Sequence, residues 1–460
     1  MRESVTANLE LKAKRQTVAA QSNQVDAARA RLLPQVQVSA TGRAVSEERA
    51  SASFGAQPEQ QLSSAVSVRQ ILFSEPAFAK LSVERRMQAV REFRRQSTRL
   101  DAAKNAADAY LGVLEARAGV TIQRENMRTV RTNLQAARTR RRAGAADPRG
   151  VSRMETELAR AEQGLLRALG RQRAAELQYN RVLNRPLDAD VVLAQTATAD
   201  PSKILAQFPY ADRLDESGKA TAFRRFWVAE ARERAPEVKA VERLVGTRKR
   251  QLTSANRSFW MPEISLEGTF SQRLHEGGVG TSSPSLPFLN SPDGQFTLPT
   301  PPDQQWSVGI TASFPLFRGT ERAAQRRQAK KQLAASRTEQ AMAKLGVEQK
   351  VRTALVQLET DYASAERALR AARAAQQTLD VTEAVYREGT ASLIDLIDAQ
   401  NAALAARQQA ATTAYEVLRK WRAVQRAGGS FRPLRTPQEQ AAFEQRLDAI
   451  LSGRTGTGTP

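Results

Sequence analysis

Two carboxylates stand three residues apart, shortly after a turn, in the stretch YREGTASLIDLID at residues 386–398. Gly389 is the residue type that most easily takes the left-handed conformation that ends a helix. Ser392 has the chemistry of an N-cap, and Asp395 completes the spacing of a capping box. The stretch therefore predicts the tip of a helix hairpin, with Asp395 and Asp398 on one face of the outgoing helix. Two such acids can cap that helix or present negative charge to a pore.

Other residues that could carry catalysis or bind a metal are scarce. The 460 residues include no cysteine and one histidine, His275, in a segment rich in glycine, serine and proline. A lone histidine in a loop is usually solvated, so the sequence predicts no metal site. No HExxH, GxSxG or Walker A motif occurs, and no constellation of nucleophile, acid and base is apparent. We therefore expect neither an enzyme nor a bound cofactor.

The net charge of +22 is compatible with several classes of partner. Arginines are spread through helical segments and often stand at helical spacing from acids, as Arg160 does from Glu157. This arrangement is typical of a solvated helix surface. A soluble basic coiled-coil scaffold or a nucleic-acid-binding protein is the alternative, although no zinc-finger spacing or RNA-binding aromatic signature occurs.

Membrane-directed segments of the common kinds are not visible in the sequence. No apolar run approaches the ~20 residues of a transmembrane helix. The chain opens MRESVTANLELKAK, which is amphipathic and does not read as a signal peptide. We therefore expect that the protein stays inside the cell or that the sequence begins at a mature or truncated start.

Proline, glycine and apolar spacing divide the chain into long helices and short strands. Alternating residues predict two pairs of strands, and apolar residues spaced three and four apart predict helices with a heptad seam. In the first half, the predicted elements are a helix over 4–32, strands over 34–42 and 63–73, and a helix hairpin over 77–184 that turns at Gly144. In the second half, they are strands over 262–271 and 305–317 and a helix hairpin over 320–427 that turns at Gly389.

The two halves therefore repeat one order of elements, which indicates an internal duplication. Pro262 corresponds to Pro34 at the start of a strand, and Gly389 corresponds to Gly144 at the tip of a hairpin. The predicted divisions are a first repeat over 1–225, a second repeat over 226–429 and a C-terminal segment over 430–460, whose last residues we expect to be disordered.

Neither repeat can bury its own apolar faces. Four strands of roughly ten residues do not close a barrel, and open sheet edges are not tolerated in lipid. Strands of this length do cross a bilayer at a tilt. Several protomers could pool their strands into one barrel and their helices into one coiled-coil cylinder, which would explain both the small sheet and the very long helices.

These features resemble the TolC-type outer membrane factor family of outer membrane efflux proteins, over about residues 4–428. The resemblance is carried by LLPQVQVSA at 32–40, SVRQILFSEP at 67–76, AYLGVLEAR at 109–117 and YREGTASLIDLIDAQ at 386–400. It implies a mainly α-helical fold with a small transmembrane β part. In the implied homotrimer, a twelve-stranded β-barrel in the outer membrane continues as a long α-helical barrel in the periplasm. Residues 186–225 and 430–452 fit the equatorial region around that tunnel.

The resemblance also implies the function of a passive exit duct. Such a duct belongs to a tripartite efflux or type I secretion system. It docks a periplasmic adaptor (membrane fusion) protein and an inner-membrane transporter. Its implied surroundings are outer membrane lipid and the periplasm, with no nucleic acid.

The family suggests roles for residues at the second tip. Aspartates after this tip ring the periplasmic entrance and favour cations, and a tyrosine before the glycine helps to close it. Asp395, Asp398 and Tyr386 stand at the matching positions. The competing structural interpretations are helix-start carboxylates for the acids and heptad packing for the tyrosine. The tip turns that the resemblance assigns to adaptor docking contain Gly144, Gly389, Thr390, Ser392 and Leu393.

The closing network of the family is not present in its known form. Ala391 stands where an arginine follows the Gly-Thr in a well-known member, and Gly150 stands where the first tip commonly carries an aspartate. A basic cluster at the first tip instead meets Asp395 across the closed tips, contacts the adaptor, or forms a solvated face. The cluster consists of Arg138, Arg140, Arg141, Arg142, Arg149 and Arg153, of which Arg142, Arg149 and Arg153 are our gating candidates together with Tyr386.

Three aromatic residues stand near the ends of predicted strands. Trp260, Trp306 and Phe314 are equally compatible with a buried core and with an aromatic belt at a membrane interface. The sequence leaves both interpretations open.

Overall fold

The computed structural model of the chain describes residues 2–53, 57–144, 148–192, 200–211, 214, 217–281, 302–429 and 431–451. The described residues are mainly helical, with one small β-sheet. The helices are α1 (Arg2–Ala7), α2 (Leu9–Ala30), α3 (Glu47–Ser51), α4 (Glu75–Arg142), α5 (Pro148–Leu183), α6 (Pro201–Ala206), α7 (Ser217–Arg234), α8 (Pro236–Arg257), α9 (Glu321–Glu388), α10 (Leu393–Ala427) and α11 (Pro437–Leu451). A short 3-10 helix spans Arg432–Leu434.

The two longest helices, α4 and α9, have 68 residues each. At 1.5 Å per residue, each is about 100 Å long. Alanine, arginine and leucine favour the helical state, and the one proline in α4, Pro76, stands in the first turn, where it is tolerated.

The predicted heptad seam of α4 is confirmed, because Ala103, Val130 and Leu134 are all buried. The predicted first helix is instead interrupted at Asn8, whose side chain accepts a hydrogen bond from the Leu11 amide at 2.9 Å and caps α2.

Four antiparallel strands form one sheet in the order β1-β2-β3-β4. Their bounds are β1 (Gln35–Ala44), β2 (Gln60–Phe73), β3 (Glu263–Gly277) and β4 (Gln304–Ser313). Gln35 lies opposite Arg69, and Glu263 lies opposite Ser313. The central pairing joins β2 of the first repeat to β3 of the second, with register shifts at Leu62 and at Ile71. Each repeat thus supplies one hairpin, and the two hairpins pair side by side.

Two predictions about the strands are wrong. The strand predicted over 305–317 ends at Ser313, because Pro315 has no amide hydrogen to donate to a ladder. His275, which the sequence places in a loop, lies within β3 opposite Leu62. The composition of this segment does not predict a strand. Residues 273–277 are extended because they pair with β2, and their own sequence does not alternate between apolar and polar residues.

The edge strands of the sheet are exposed along their whole length. Val38 is 73% exposed on β1, and Trp306 is 77% exposed on β4. Trp260 and Phe314 are also exposed, so the interpretation of these aromatic residues as core residues is wrong for the single chain. Within the described residues, no helix is long and apolar enough to cross a membrane.

The chain forms two compact units that do not coincide with the two repeats. One consists of Met1–Val18, Val90–Glu242 and Thr338–Pro460, and the other of Ala19–Ala89 and Arg243–Arg337. Each unit takes residues from both repeats. The second unit contains the sheet, and the first contains both helix-hairpin tips.

The largest core cluster of the first unit is rich in aromatic residues. Trp227 on α7 lies 5.5 Å from Trp421 on α10 and 5.6 Å from Phe443 on α11, measured between ring centroids. Phe208, after α6, contacts Trp421 edge-on at 5.9 Å. Segments 200–211 and 431–451 are therefore held together through large rings against α10.

Candidate functional site

The second hairpin tip is a turn of defined backbone geometry between α9 and α10. Gly389 has a φ of +92°, the left-handed region that favours glycine. The Thr390 amide donates to the Val385 carbonyl at 3.2 Å, and the Gly389 amide donates to the Tyr386 carbonyl at 3.1 Å. This pair of bonds is the Schellman motif, which satisfies carbonyls that the end of α9 would leave unpaired.

Three residues later, α10 begins with a complete capping box. The Asp395 amide donates to the Ser392 hydroxyl oxygen at 3.1 Å, and the Ser392 amide donates to the Asp395 carboxylate at 3.2 Å. The Ser392 hydroxyl also donates to that carboxylate at 2.7 Å. The predicted cap is therefore confirmed, and Asp395 uses one carboxylate oxygen for it.

The first tip follows α4, whose last residue is Arg142. Gly144 has a φ of +71°, and its amide donates to the Arg141 carbonyl at 3.0 Å. Residues 145–147 lie outside the described residues, and α5 begins at Pro148. Both predicted tip glycines thus have the left-handed conformation for which glycine is suited.

Apolar contacts join the two tips within one chain. Leu393 and Ile397, in the first turns of α10, pack against a buried cluster that includes Val151 and Met154 of α5. A Cβ added at Gly150 would lie 3.3 Å from the Leu393 Cδ2 atom. Gly150 therefore leaves room for Leu393, and an aspartate at this position would have to displace it.

Arg140 makes the polar contact between the tips. Its Nη1 donates to the Tyr386 carbonyl at 2.7 Å, and its guanidinium carbon lies 4.9 Å from the centroid of the Tyr386 ring. A Cβ at Gly389 would lie 3.3 Å from its Nη2. A cation at the C-terminus of α9 is also favoured by the helix dipole. One arginine of the first tip thus binds the end of the helix that leads into the second.

One further contact lies a turn or more above the tips. The Asn133 side chain, 3% exposed, donates from its amide nitrogen to the Glu383 carboxylate at 3.0 Å. Glu383 also pairs with Arg387 at 3.3 Å. These bonds hold α4 beside α9 just before both helices end.

The predicted acids occupy different environments. Asp395 is exposed and engaged in the cap, and Asp398 is exposed on the next turn of α10. Tyr386 is buried at 6% exposure in a cluster with Leu379 and Leu396. Within the chain, Asp395 accepts its hydrogen bonds from Ser392, while Arg140 binds Tyr386.

The predicted arginines are distributed over the surface of the first tip. Arg142, Arg149 and Arg153 are exposed. Arg138 pairs with Glu155 at 2.8 Å, which ties α4 to α5. The gating candidates of the sequence analysis thus do not include Arg140, the member of the cluster that lies against Tyr386. Which arginine faces α9 depends on how the two hairpins cross, and a run of arginines does not encode that.

Sequence reasoning also missed an exposed apolar residue at the second tip. Ile394 is 52% exposed, whereas Leu396 is fully buried and Leu393 is partly buried. The helical spacing could have predicted this exposure, because Ile394 lies outside the apolar stripe formed by Leu393, Leu396 and Ile397.

Solved structures share this arrangement of a small sheet and long paired helices. VceC from Vibrio cholerae matches with a TM-score of 0.71 and 14% identity, covering 93% of this chain and 95% of that one. CmeC from Campylobacter jejuni matches with 0.68 and 14%, covering 98% and 88%. The open state of MtrE from Neisseria gonorrhoeae matches with 0.68 and 16%, covering 93% and 88%. These proteins are outer membrane proteins or channels, and at such identities the likeness shows a shared fold.

The small sheet and the duplicated hairpins are thus the architecture that these outer membrane proteins share. The family model for outer membrane efflux proteins matches residues 2–185 and 227–430, and the chain belongs to that family. None of the curated proteins matches the chain significantly. Family membership gives no support to the alternative of a basic scaffold or nucleic-acid binder.

Proposed function

We propose that the chain is the outer-membrane exit duct of a tripartite pump and works as a homotrimer without catalytic activity of its own. The observation that carries the proposal is a sheet with two open edges in a chain of this family. An open edge in lipid leaves backbone groups unsatisfied, and closing the sheet through further copies removes it.

The outward residues of the edge strands suit a lipid environment. Val36 and Val38 on β1, and Val308 and Ile310 on β4, are between 66% and 73% exposed in the single chain. Water would disfavour such a surface, whereas the hydrocarbon of a bilayer would not. We infer a location in the outer membrane, with the helical hairpins in the periplasm.

The tips are the proposed docking surface for a periplasmic adaptor and, through it, an inner-membrane transporter. Gly144, Gly389 and Thr390 are exposed there, as is Ile394. Leu393 packs between the hairpins, so its proposed contribution is to hold the docking surface in place.

The same tips form the proposed gate. Arg140 on Tyr386 and Leu393 beside Gly150 hold the two hairpins of one protomer together. An opening movement that separates these hairpins must break both contacts. The exposed Asp398 and Asp395 would then face the entrance once per protomer and favour cations.

A cross-linking experiment tests the assembly. The chain has no cysteine, so Val38→Cys on β1 and Val308→Cys on β4 introduce the only two thiols. Within one chain these strands are the opposite edges of the sheet, whereas in a closed barrel β1 of one copy lies beside β4 of the next. A short bis-maleimide should give covalent trimers on a denaturing gel. The single-cysteine variants are the controls, and a double variant that stays monomeric in membranes would refute the trimer.

A further inference from the structure

A pocket lies in the first unit, away from the tips, between α6, α7, α10 and α11. Its volume is 360 Å³, within the range of roughly 300–1,000 Å³ that is usual for small-molecule sites. Phe208, Tyr210, Trp421 and Phe443 supply flat aromatic walls. The Tyr210 and Trp421 rings lie 4.7 Å apart, so these walls form one continuous surface.

The charged residues that line this pocket are all basic. They are Arg422 on α10 and Arg432 and Arg435 after it, and no acid is among the lining residues in the described part of the chain. Arg435 lies 3.6 Å above the centroid of the Phe443 ring. An aromatic pocket with guanidinium groups and no lining carboxylate attracts anions.

Arg422 lacks a counter-ion among the described residues. Its Nη1 donates to the Gln425 side-chain oxygen at 3.0 Å, and no carboxylate lies within ion-pair distance. Burial lowers the pKa of its guanidinium, which the more distant Asp108 only partly offsets. Arg422 is half-buried, so it is partly desolvated without an acidic partner, and a bound anion would offset that cost.

The nearby acids are engaged elsewhere. Asp108 pairs with Lys104 at 2.5 Å. Glu230, 3% exposed, pairs with Arg234 at 2.8 Å and with Arg446 at 3.0 Å. Neither acid lines the pocket, although Asp108 keeps one buried oxygen, Oδ1, without a hydrogen-bond partner among the described residues.

Trp227, which also lines the pocket, carries an unsatisfied donor. Trp227 is 1% exposed, and its indole Nε1 has no hydrogen-bond acceptor in the described structure. Buried indole donors are usually paired.

We propose that this pocket binds a small organic anion with an aromatic body and a carboxylate or sulfonate group. The aromatic walls would stack on the body, and Arg422 would pair with the charged group. A dry cavity of about 150 Å³ holds one benzene molecule. The 360 Å³ here therefore leaves room for a ring and its charged substituent. The site is independent of the duct's proposed gate.

Binding of naphthalenesulfonate to the full-length protein in nanodiscs, measured by isothermal titration calorimetry, tests the proposal. We expect saturable binding at one site per protomer, with quenching of tryptophan emission, and weaker binding of the uncharged analogue naphthol. Arg422→Gln should weaken binding at least tenfold, whereas Arg370→Gln, the same change at an exposed position of α9, should leave it unchanged.

Gln425→Glu provides a test that keeps Arg422 in place. Because Gln425 already contacts Arg422 at 3.0 Å, a glutamate would supply the missing counter-ion inside the protein. We expect loss of naphthalenesulfonate binding together with a higher Tm. A purely structural role of Gln425 would instead lower the Tm.

Three results would overturn the proposal. They are the absence of saturable binding to the wild type, equal affinity for naphthol, and unchanged affinity in the Gln425→Glu variant. If Arg422→Gln does not fold, these three results still decide.

Discussion

Arg140 touches three features of the second tip with one guanidinium: the Tyr386 carbonyl, the Tyr386 ring and the space beside Gly389. The hydrogen bond gives the Tyr386 carbonyl a second donor beside the Gly389 amide, and the ring contact adds a cation–π attraction of about 0.5–2 kcal/mol. Lysine could supply the charge but not the planar fork of donors. Arg140 is therefore suited to hold the two hairpins together in the closed state of the proposed gate, and its contacts must break when the hairpins separate.

Replacing this arginine should loosen the proposed gate. We expect Arg140→Gln to raise single-channel conductance or open probability in planar lipid bilayers, because the carbonyl and ring of Tyr386 lose their partner. Arg128→Gln is the control, since it removes the same charge from an exposed position earlier on α4, outside the basic cluster. Equal conductance in the wild type and Arg140→Gln would exclude Arg140 from the gate.

Another arginine holds the first unit together far from the tips. Arg426 donates to Asp101 at 2.6 Å, to Glu237 at 2.6 Å and to the Ser97 hydroxyl at 2.9 Å. Burial alone would raise the pKa of Glu237, but the hydrogen bonds from Arg426 and Ser97 outweigh it and leave the pKa below its usual 4.5. The folded protein therefore favours the ionised form of Glu237.

This network predicts a pH dependence of stability. A carboxylate with a depressed folded-state pKa stabilises the fold above its unfolded pKa, and that contribution is lost as the pH falls through the folded value. Glu237→Gln should thus lower the Tm near neutral pH, and the deficit should shrink below about pH 4.5. Glu366→Gln, at an exposed position of α9, is the control. A deficit that stays constant with pH in thermal unfolding would contradict the linkage.

At the scale of elements, the capping box determines where α10 begins. Removing an N-cap hydroxyl costs roughly 1 kcal/mol. Ser392→Ala should therefore speed amide exchange in the first turn of α10 about fivefold, as measured by hydrogen–deuterium exchange. Thr382→Ala is the control, because its hydroxyl only donates back to the Thr378 carbonyl within α9, at 2.8 Å. Unchanged exchange after Ser392→Ala would mean that packing of Leu393 alone fixes the helix start.

Features that depend on residues close together in the sequence could be predicted from it. Features that depend on contacts with distant parts of the chain could not. Gly144 and Gly389 have local causes, as does the capping box of Ser392. The true ends of β3 and β4 depend on their neighbours in the sheet, so the prediction misplaced His275 and Phe314. The same limit hid Arg140, because its contact with Tyr386 joins residues 246 positions apart in the chain.

At the scale of the whole molecule, each tip residue would occur three times around the entrance of the proposed trimer. The exposed edges of β1 and β4 are the feature of the single chain that calls for further copies. Under that symmetry, Asp398 and Asp395 become rings of charge. A ring of like charge at an entrance raises the local concentration of counter-ions.

The two acids can be separated experimentally because only Asp395 belongs to the cap. Asp398→Asn should reduce cation preference, seen as a smaller reversal potential in a salt gradient, without changing amide exchange in the first turn of α10. Asp395→Asn should reduce both cation preference and protection of the Ser392 amide, which donates to its carboxylate at 3.2 Å. If neither substitution shifts the reversal potential while Asp395→Asn still weakens protection, the acids serve only the helix. A shift from Asp398→Asn alone would place the selectivity ring one turn inside the capped end of α10.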